Sequence, residues 1–225
     1  MLSLLRKDSM KMINTIIFDL DGTLLYTLKD LNNALNYAFA KHGFAKVSLD
    51  ATKKALGFGP IKLISLLTTL EPDNPRFDTI YQDFLGYYGQ HNNDETIIYP
   101  QITELLTKLK KQNIKLAVLS NKQDVDTQAV IKHYLPNTFD IIMGTSAKVK
   151  KKPNIDGLIE IVHSLDTTVA NCLYVGDSEV DVLTAANAKM KCIAVTYGYR
   201  SKKELITHGA TNLIDNPLEI LEYLK

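Results

Sequence analysis

The chain has 225 residues, 45% hydrophobic and 23% charged, which suits one full core or a core plus a small lobe and excludes disordered, collagen-like and low-complexity readings. Twenty-six Lys and Arg against 25 Asp and Glu leave a formal charge of +1, without the basic excess that draws a protein to phosphate backbones, so no nucleic-acid partner is expected. Residues 1–12 read as a loose leader, because their apolar stretch, Leu2 to Leu5, is too short for a signal sequence. No apolar run approaches the ~20 residues a bilayer span needs, so no membrane partner is expected and the location expected is cytoplasmic. Cys172 and Cys192 each lie inside an apolar run without a metal-spaced neighbour and are expected to be buried thiols.

Apolar runs of strand length at 15–20, 115–119, 140–143, 172–175 and 192–196 alternate with helical patterns, which predicts an α/β fold with a parallel sheet covered by helices. The first two runs lie about ninety-five residues apart, far more than one crossover helix requires. The intervening segment reads as helical. Leu28, Leu31, Leu35, Ala38 and Phe39 share one helix face ending near Gly43; Ile61, Ile64, Ser65, Leu67 and Thr68 suggest a second, and Phe77, Ile80, Tyr81, Phe84, Leu85 and Tyr88 a third. The division expected is an α/β core of residues 13–26 and 96–225, with an all-helical cap at 27–95. The crevice between two such bodies is where ligands usually bind.

Four stations fall at predicted strand ends. In Asp19-Leu20-Asp21-Gly22-Thr23, the two-residue period points Asp19 and Asp21 to one side, so the pair implies a divalent metal or a raised pKa; the alternative is a solvated turn with Thr23 as a cap. Ser120-Asn121-Lys122 offers a hydroxyl and an amide for an oxyanion, although both also cap helices. In the lysine run 150–152, Pro153 restricts Lys152 to extended backbone and is expected to open a helix; the other lysines read as a solvated loop. Asp177 sits at the fourth strand tip with Asp181 four residues on, where helix capping is the simpler explanation for Asp181 than for Asp177. Carboxylates, a lysine and a hydroxyl gathered at neighbouring strand ends suit a phosphate with magnesium. No GxxxxGK(S/T) loop, no G-x-S-x-G elbow and no metal-spaced histidine pair occurs, and Gly57-Phe58-Gly59-Pro60 follows no strand and fails the dinucleotide fingerprint.

These residues resemble the haloacid dehalogenase superfamily of aspartyl-phosphate phosphotransferases, specifically its phosphoglycolate phosphatase-like branch with an inserted helical cap. The resemblance rests on DLDGTL at 19–24 with its preceding strand, LSNK at 119–122, KKP at 151–153 and GDSEVD at 176–181, and it extends over 14–225. It implies a Rossmann-like core and a magnesium (Mg2+)-dependent phosphomonoesterase acting on a small phosphate ester, with phosphoglycolate the leading candidate. By the same resemblance Asp19 is the nucleophile and Asp21 the acid and base. Gly22, Thr23, Ser120, Asn121 and Lys152 bind the phosphoryl group. Asp19, the backbone carbonyl of Asp21, and Asp177 hold the metal, with Ser178 and Asp181 orienting its surroundings. Members of the branch often carry Asp-Ser where this chain has Tyr26-Thr27; Thr27 is expected to cap the following helix, with substrate detail altered and the chemistry intact.

A sugar phosphomutase would need a second phosphate held in the cap by Arg76, Lys53, Lys54 or Lys62. Pyrophosphatase and nucleotidase activities use the same machinery. A binding module without turnover would lack a motif residue, and none is missing. Dehalogenation proper is disfavoured by Asp21. A monomer or a homodimer is expected.

Overall fold

A computed structural model describes residues 12–224; all of the expected leader but Met12 lies outside them. Six strands form one parallel sheet in the order β5-β4-β1-β6-β7-β8, with β1 at Thr15–Phe18, β4 at Lys115–Gln123, β5 at Ile141–Thr145, β6 at Cys172–Gly176, β7 at Lys191–Val195 and β8 at Leu213–Ile214. Thr15 to Phe18 pair in register with Lys115 to Val118 on one side and with Cys172 to Val175 on the other. Every residue of β1 is buried, as a central strand covered on both faces must be, and this is why it reads as an unbroken apolar run. Ile16 and Phe18 pack with α5 (Ile102–Lys111) and α6 (Asp124–Tyr134), while Ile17 packs on the other face with α7 (Asp156–Ser164) and α8 (Glu179–Asn187). Helix α9 follows at Lys202–Thr207.

The long insert leaves the sheet through β2 (Leu25–Tyr26) and returns through β3 (Ile97–Ile98), which pair antiparallel. Its return is fixed by the buried Asp30 carboxylate, which accepts from the N–H groups of Glu95 and Thr96 and from the Thr96 hydroxyl. Four helices lie between: α1 (Leu28–Lys41), α2 (Leu49–Ala55), α3 (Pro60–Thr68) and α4 (Pro75–Gln90). They enclose an apolar core of their own in which Leu35, Ile64, Ile80 and Phe84 are buried, joined by Tyr199 from the loop after β7.

Several expectations need correcting. Helix α2, capped by the Ser48 hydroxyl, escaped the periodicity because only Thr52 and Ala55 of its seven residues are buried. In α3 the inward face includes Leu63, whereas Ile61 is exposed, since the helix is only partly covered. Strand β4 runs on to Gln123 and does not end at Leu119, carrying Ser120, Asn121 and Lys122 within it. Pro153 opens no helix: the Lys152–Pro153 bond is cis, and α7 begins at Asp156. Cys172 is buried as expected, but Cys192, near the start of β7, is partly exposed. No helix among the described residues is long and apolar enough to cross a membrane.

Candidate active site

Strand order places the ends of β4, β1 and β6 side by side, and the predicted stations meet there. Asp19 continues the β1 ladder by one residue, its N–H donating to the carbonyl of Val175 at 2.8 Å, and Asp177 directly follows β6. Carboxylate oxygens of Asp19, Asp177 and Asp181 all lie within 4.8 Å of one another, and all three residues are buried. Lys152, 3% exposed, places its ammonium between Asp19 and Asp181, 2.6 Å from Asp19 Oδ1, 2.7 Å from Asp181 Oδ1 and 3.0 Å from the Tyr174 hydroxyl. These contacts take its three N–H donors. Asn121 holds the lysine in place: its Oδ1 accepts from the Lys152 N–H at 2.6 Å, and its Nδ2 donates to the carbonyls of Lys152 and Gly57.

Three carboxylates against one lysine is an unbalanced charge in a buried site. Burial, reinforced by the charge of Asp181, pushes the Asp19 carboxyl up to about 7, with Lys152 opposing. Burial and the charges of Asp19 and Asp181 drive Asp177 well above the ordinary carboxylate range, despite a 2.6 Å bond from the Tyr199 N–H. Burial alone would lower Lys152, but the carboxylates of Asp181 and Asp19 outweigh it and hold the ammonium firmly charged.

Asp21 departs from the expectation of two carboxylates side by side. Past the strand end the pleat is lost, and the Asp21 carboxylate faces the root of the helical insert. Its Oδ1 accepts from the Thr27 hydroxyl at 2.6 Å, and its Oδ2 lies 3.1 Å from Lys122 Nζ. Thr27 accordingly does not cap α1 through its side chain: its hydroxyl joins Asp21 to the Tyr199 phenol, 3.1 Å away. Gly22, at φ +94°, lies against Asp177, and the Thr23 hydroxyl approaches the same carboxylate at 3.4 Å. Ser178 caps α8, its hydroxyl and N–H both donating to Asp181 Oδ2; with Lys152 and Tyr174 on the other oxygen, Asp181 is fully engaged by protein. Ser120, buried beside them in β4, accepts from the Lys122 N–H at 3.2 Å.

The donors fit a hard divalent cation. They are carboxylate oxygens only, and the excess of negative charge is what such an ion offsets. Asp19 and Asp177 are the members with room to ligate, since each oxygen of Asp181 already takes two donors while no oxygen of Asp19 or Asp177 takes more than one.

Sequence reasoning assigned no role to Lys122, Tyr88, Tyr174, Tyr199 or Arg200. Lys122 carried a signal only in its place beside Ser120 and Asn121; the pairing of β4 with β5 shifts register between Leu119 and Gln123, so strand alternation does not assign its side. Arg200 joins the sheet to the insert, bonding Glu179 with Nε and donating to the carbonyls of Lys53 and Leu56. Nothing in its local sequence marks that role.

Residues 16–195 match the family model of the haloacid dehalogenase-like hydrolases. The chain is 33% identical to the phosphoglycolate phosphatase of Rhodobacter capsulatus over 204 residues, covering 88% of this chain and 92% of the relative. It is likewise 33% identical to the phosphoglycolate phosphatase of Agrobacterium fabrum over 187 residues, 81% of this chain and 80% of that one. A solved structure of a candidate phosphoglycolate phosphatase from Lactobacillus delbrueckii subsp. bulgaricus superposes with a TM-score of 0.88 at 31% identity, covering 95% of this chain and 98% of the other.

Proposed function

Because the chain belongs to the haloacid dehalogenase-like hydrolases and is a phosphatase, we propose that it hydrolyses a small phosphomonoester with magnesium at the buried Asp19, Asp177 and Lys152 cluster. The observation that carries this reading is the meeting of Asp19 and Asp177, at the ends of the adjacent strands β1 and β6, with Lys152 close by from the loop before α7. Phosphoglycolate, for which the Rhodobacter and Agrobacterium relatives are named, is the leading substrate.

Asp19 is the nucleophile. A carboxylate needs no general base, but it must approach an anionic phosphoryl group, so the site has to supply positive charge. Lys152 contributes by field and not by a free hydrogen bond, its donors being taken by Asp19, Asp181 and Tyr174. Magnesium, held by Asp19, Asp177 and the backbone carbonyl of Asp21, would offset phosphoryl charge and favour the ionised form of Asp19. The Ser120 hydroxyl, the backbone of Asn121, and the Gly22-Thr23 turn bind phosphoryl oxygens. As Asp19 attacks phosphorus, the bond to the ester oxygen breaks and Asp21 gives that oxygen its proton. Asp21 then takes a proton from the water that attacks phosphorus and releases Asp19. Ser178 and Asp181 hold the geometry around the metal. Residues 27–95 act as a cap that excludes bulk water, with Thr27 and Arg200 as its attachments.

The phosphomutase alternative finds less support, since Lys53, Lys54, Lys62 and Arg76 are absent from the cavity lining. Arg76 instead donates to the carbonyl of His42 and lies over Phe44. The test is Asp19→Asn, which folds and abolishes magnesium-dependent phosphate release from a generic aryl phosphate; wild-type-like turnover in that variant overturns the mechanism.

A further inference from the structure

The cavity between the sheet and the helical insert is small, about 60 Å3, room for roughly five water-sized groups. Its wall on the helical side is apolar, with Leu31, Leu63 and Phe84 among its residues. Apart from the Tyr88 phenol, the side chains of this wall offer no partners for the hydroxyls of a sugar. The cations lining this cavity are Arg200 and Lys122. Arg200 spends its fork on Glu179 and on the carbonyls of Lys53 and Leu56.

Lys122 is differently placed. Its side chain is 5% exposed, and its ammonium lies 3.1 Å from Asp21 Oδ2 and donates to the Tyr88 phenol oxygen at 2.9 Å. An ammonium has three N–H donors, and these two contacts leave one for a ligand in the cavity. Tyr88 belongs to α4 and Lys122 to β4, so the ammonium is gripped from both sides of the cavity.

We propose that Lys122 is a specificity-determining residue that selects phosphate esters carrying a carboxylate directly on the ester carbon, by donating its remaining N–H to that carboxylate. This rests on the phosphatase reading above. Asp21 must reach the ester oxygen within hydrogen-bond range, about 3 Å, and Lys122 stands one such step from Asp21. An anion served by Lys122 therefore lies close to the ester oxygen, where a two-carbon hydroxy acid places its carboxylate. A neutral alcohol of the same size offers the ammonium's third donor only a hydroxyl oxygen, a weaker acceptor than a carboxylate, which costs affinity.

The test compares the phosphate esters of glycolic acid and of ethylene glycol, which match in size and differ in the carboxylate. With magnesium, wild-type protein is expected to favour the acid ester in kcat/KM by on the order of 10–100-fold, the range for one charge-assisted hydrogen bond. In Lys122→Met that preference collapses toward unity, chiefly through KM for the acid ester. No preference in the wild type overturns the proposal, as does a Lys122→Met variant in which both esters fall by the same factor, since Lys122 then acts only through Asp21. Should Lys122→Met fail to fold, Tyr88→Phe decides: releasing the ammonium from the phenol lowers the ratio, and an unchanged ratio overturns the proposal. A wild type that cleaves an aryl phosphate but neither ester refutes this selectivity and leaves the phosphatase reading standing; one that cleaves no phosphate ester refutes both.

Discussion

The Thr27 hydroxyl donates to Asp21 Oδ1 across 2.6 Å, tying the first residue of the helical insert to the group proposed to protonate the leaving oxygen. The same hydroxyl meets the Tyr199 phenol, whose oxygen also accepts from the Thr27 N–H at 2.9 Å. A residue in the position of a helix cap thus serves the site instead of the helix.

Thr27→Val removes that hydroxyl at nearly constant shape. The loss is expected to lower kcat for alkyl phosphates by about tenfold, the worth of one hydrogen bond to a charged group. Aryl phosphates, whose leaving oxygens need little protonation, suffer less. Steady-state rates on one ester of each kind test this, and equal losses on both would show that Thr27 does not act through Asp21.

Lys152→Met leaves Asp19 and Asp181 buried without their cation. Breaking a buried pair of this kind costs about 3–5 kcal/mol. Urea unfolding in the presence of a chelator is the measurement, and added magnesium is expected to recover part of the loss. An unchanged unfolding midpoint would mean that the carboxyls are already neutral without the lysine.

The pH dependence of the metal-free protein has a definite sign. Asp19 keeps its proton in the fold up to about 7 but ionises near 3.8 when unfolded, so between these values the folded chain binds more protons. Stability therefore falls as pH rises from about 4 to about 7, and Asp177, shifted in the same direction, adds to the decline. The carboxylates of half-buried Asp83 and exposed Glu95 and Glu204 are shifted downward and oppose this only at acid pH, near and below their ordinary values of 3.8 and 4.5. Urea midpoints with chelator at pH 5 and pH 7.5 should show the lower midpoint at pH 7.5. Magnesium should shrink the difference, because the cation takes the place of the proton. A midpoint that rises over this interval contradicts the assignment.

Gly22→Ala tests how closely the site is packed. A Cβ there would stand 2.3 Å from Asp177 Oδ2, on a backbone at φ +94° that side chains rarely adopt. Asp177 must move, so magnesium affinity measured by calorimetry should fall at least tenfold, with a lower melting temperature. Retained affinity would remove Asp177 from the metal site.

Much of the fold was legible because a parallel strand buried on both faces is written as a continuous apolar run, and β1, β6 and the Leu116 to Leu119 part of β4 are such runs. Helix α2 was not, because an exposed seven-residue helix with two buried side chains has no stripe to read.

The sequence by itself determined which groups stand at the ends of β1 and β6 and that a long helical segment interrupts the sheet after β1, since these depend on local residue types and the order of elements. Only the tertiary structure decided which groups meet. Lys152 reaches Asp19 across 133 positions, Thr27 meets Tyr199 across 172, and Lys122 meets Tyr88 across 34. It also turned Asp21 away from Asp19, toward Thr27 and Lys122, because the two-residue alternation that would align them ends with the strand at Phe18. Strand periodicity operates only while the ladder lasts; beyond it, packing against residues distant in the chain sets the direction of a side chain.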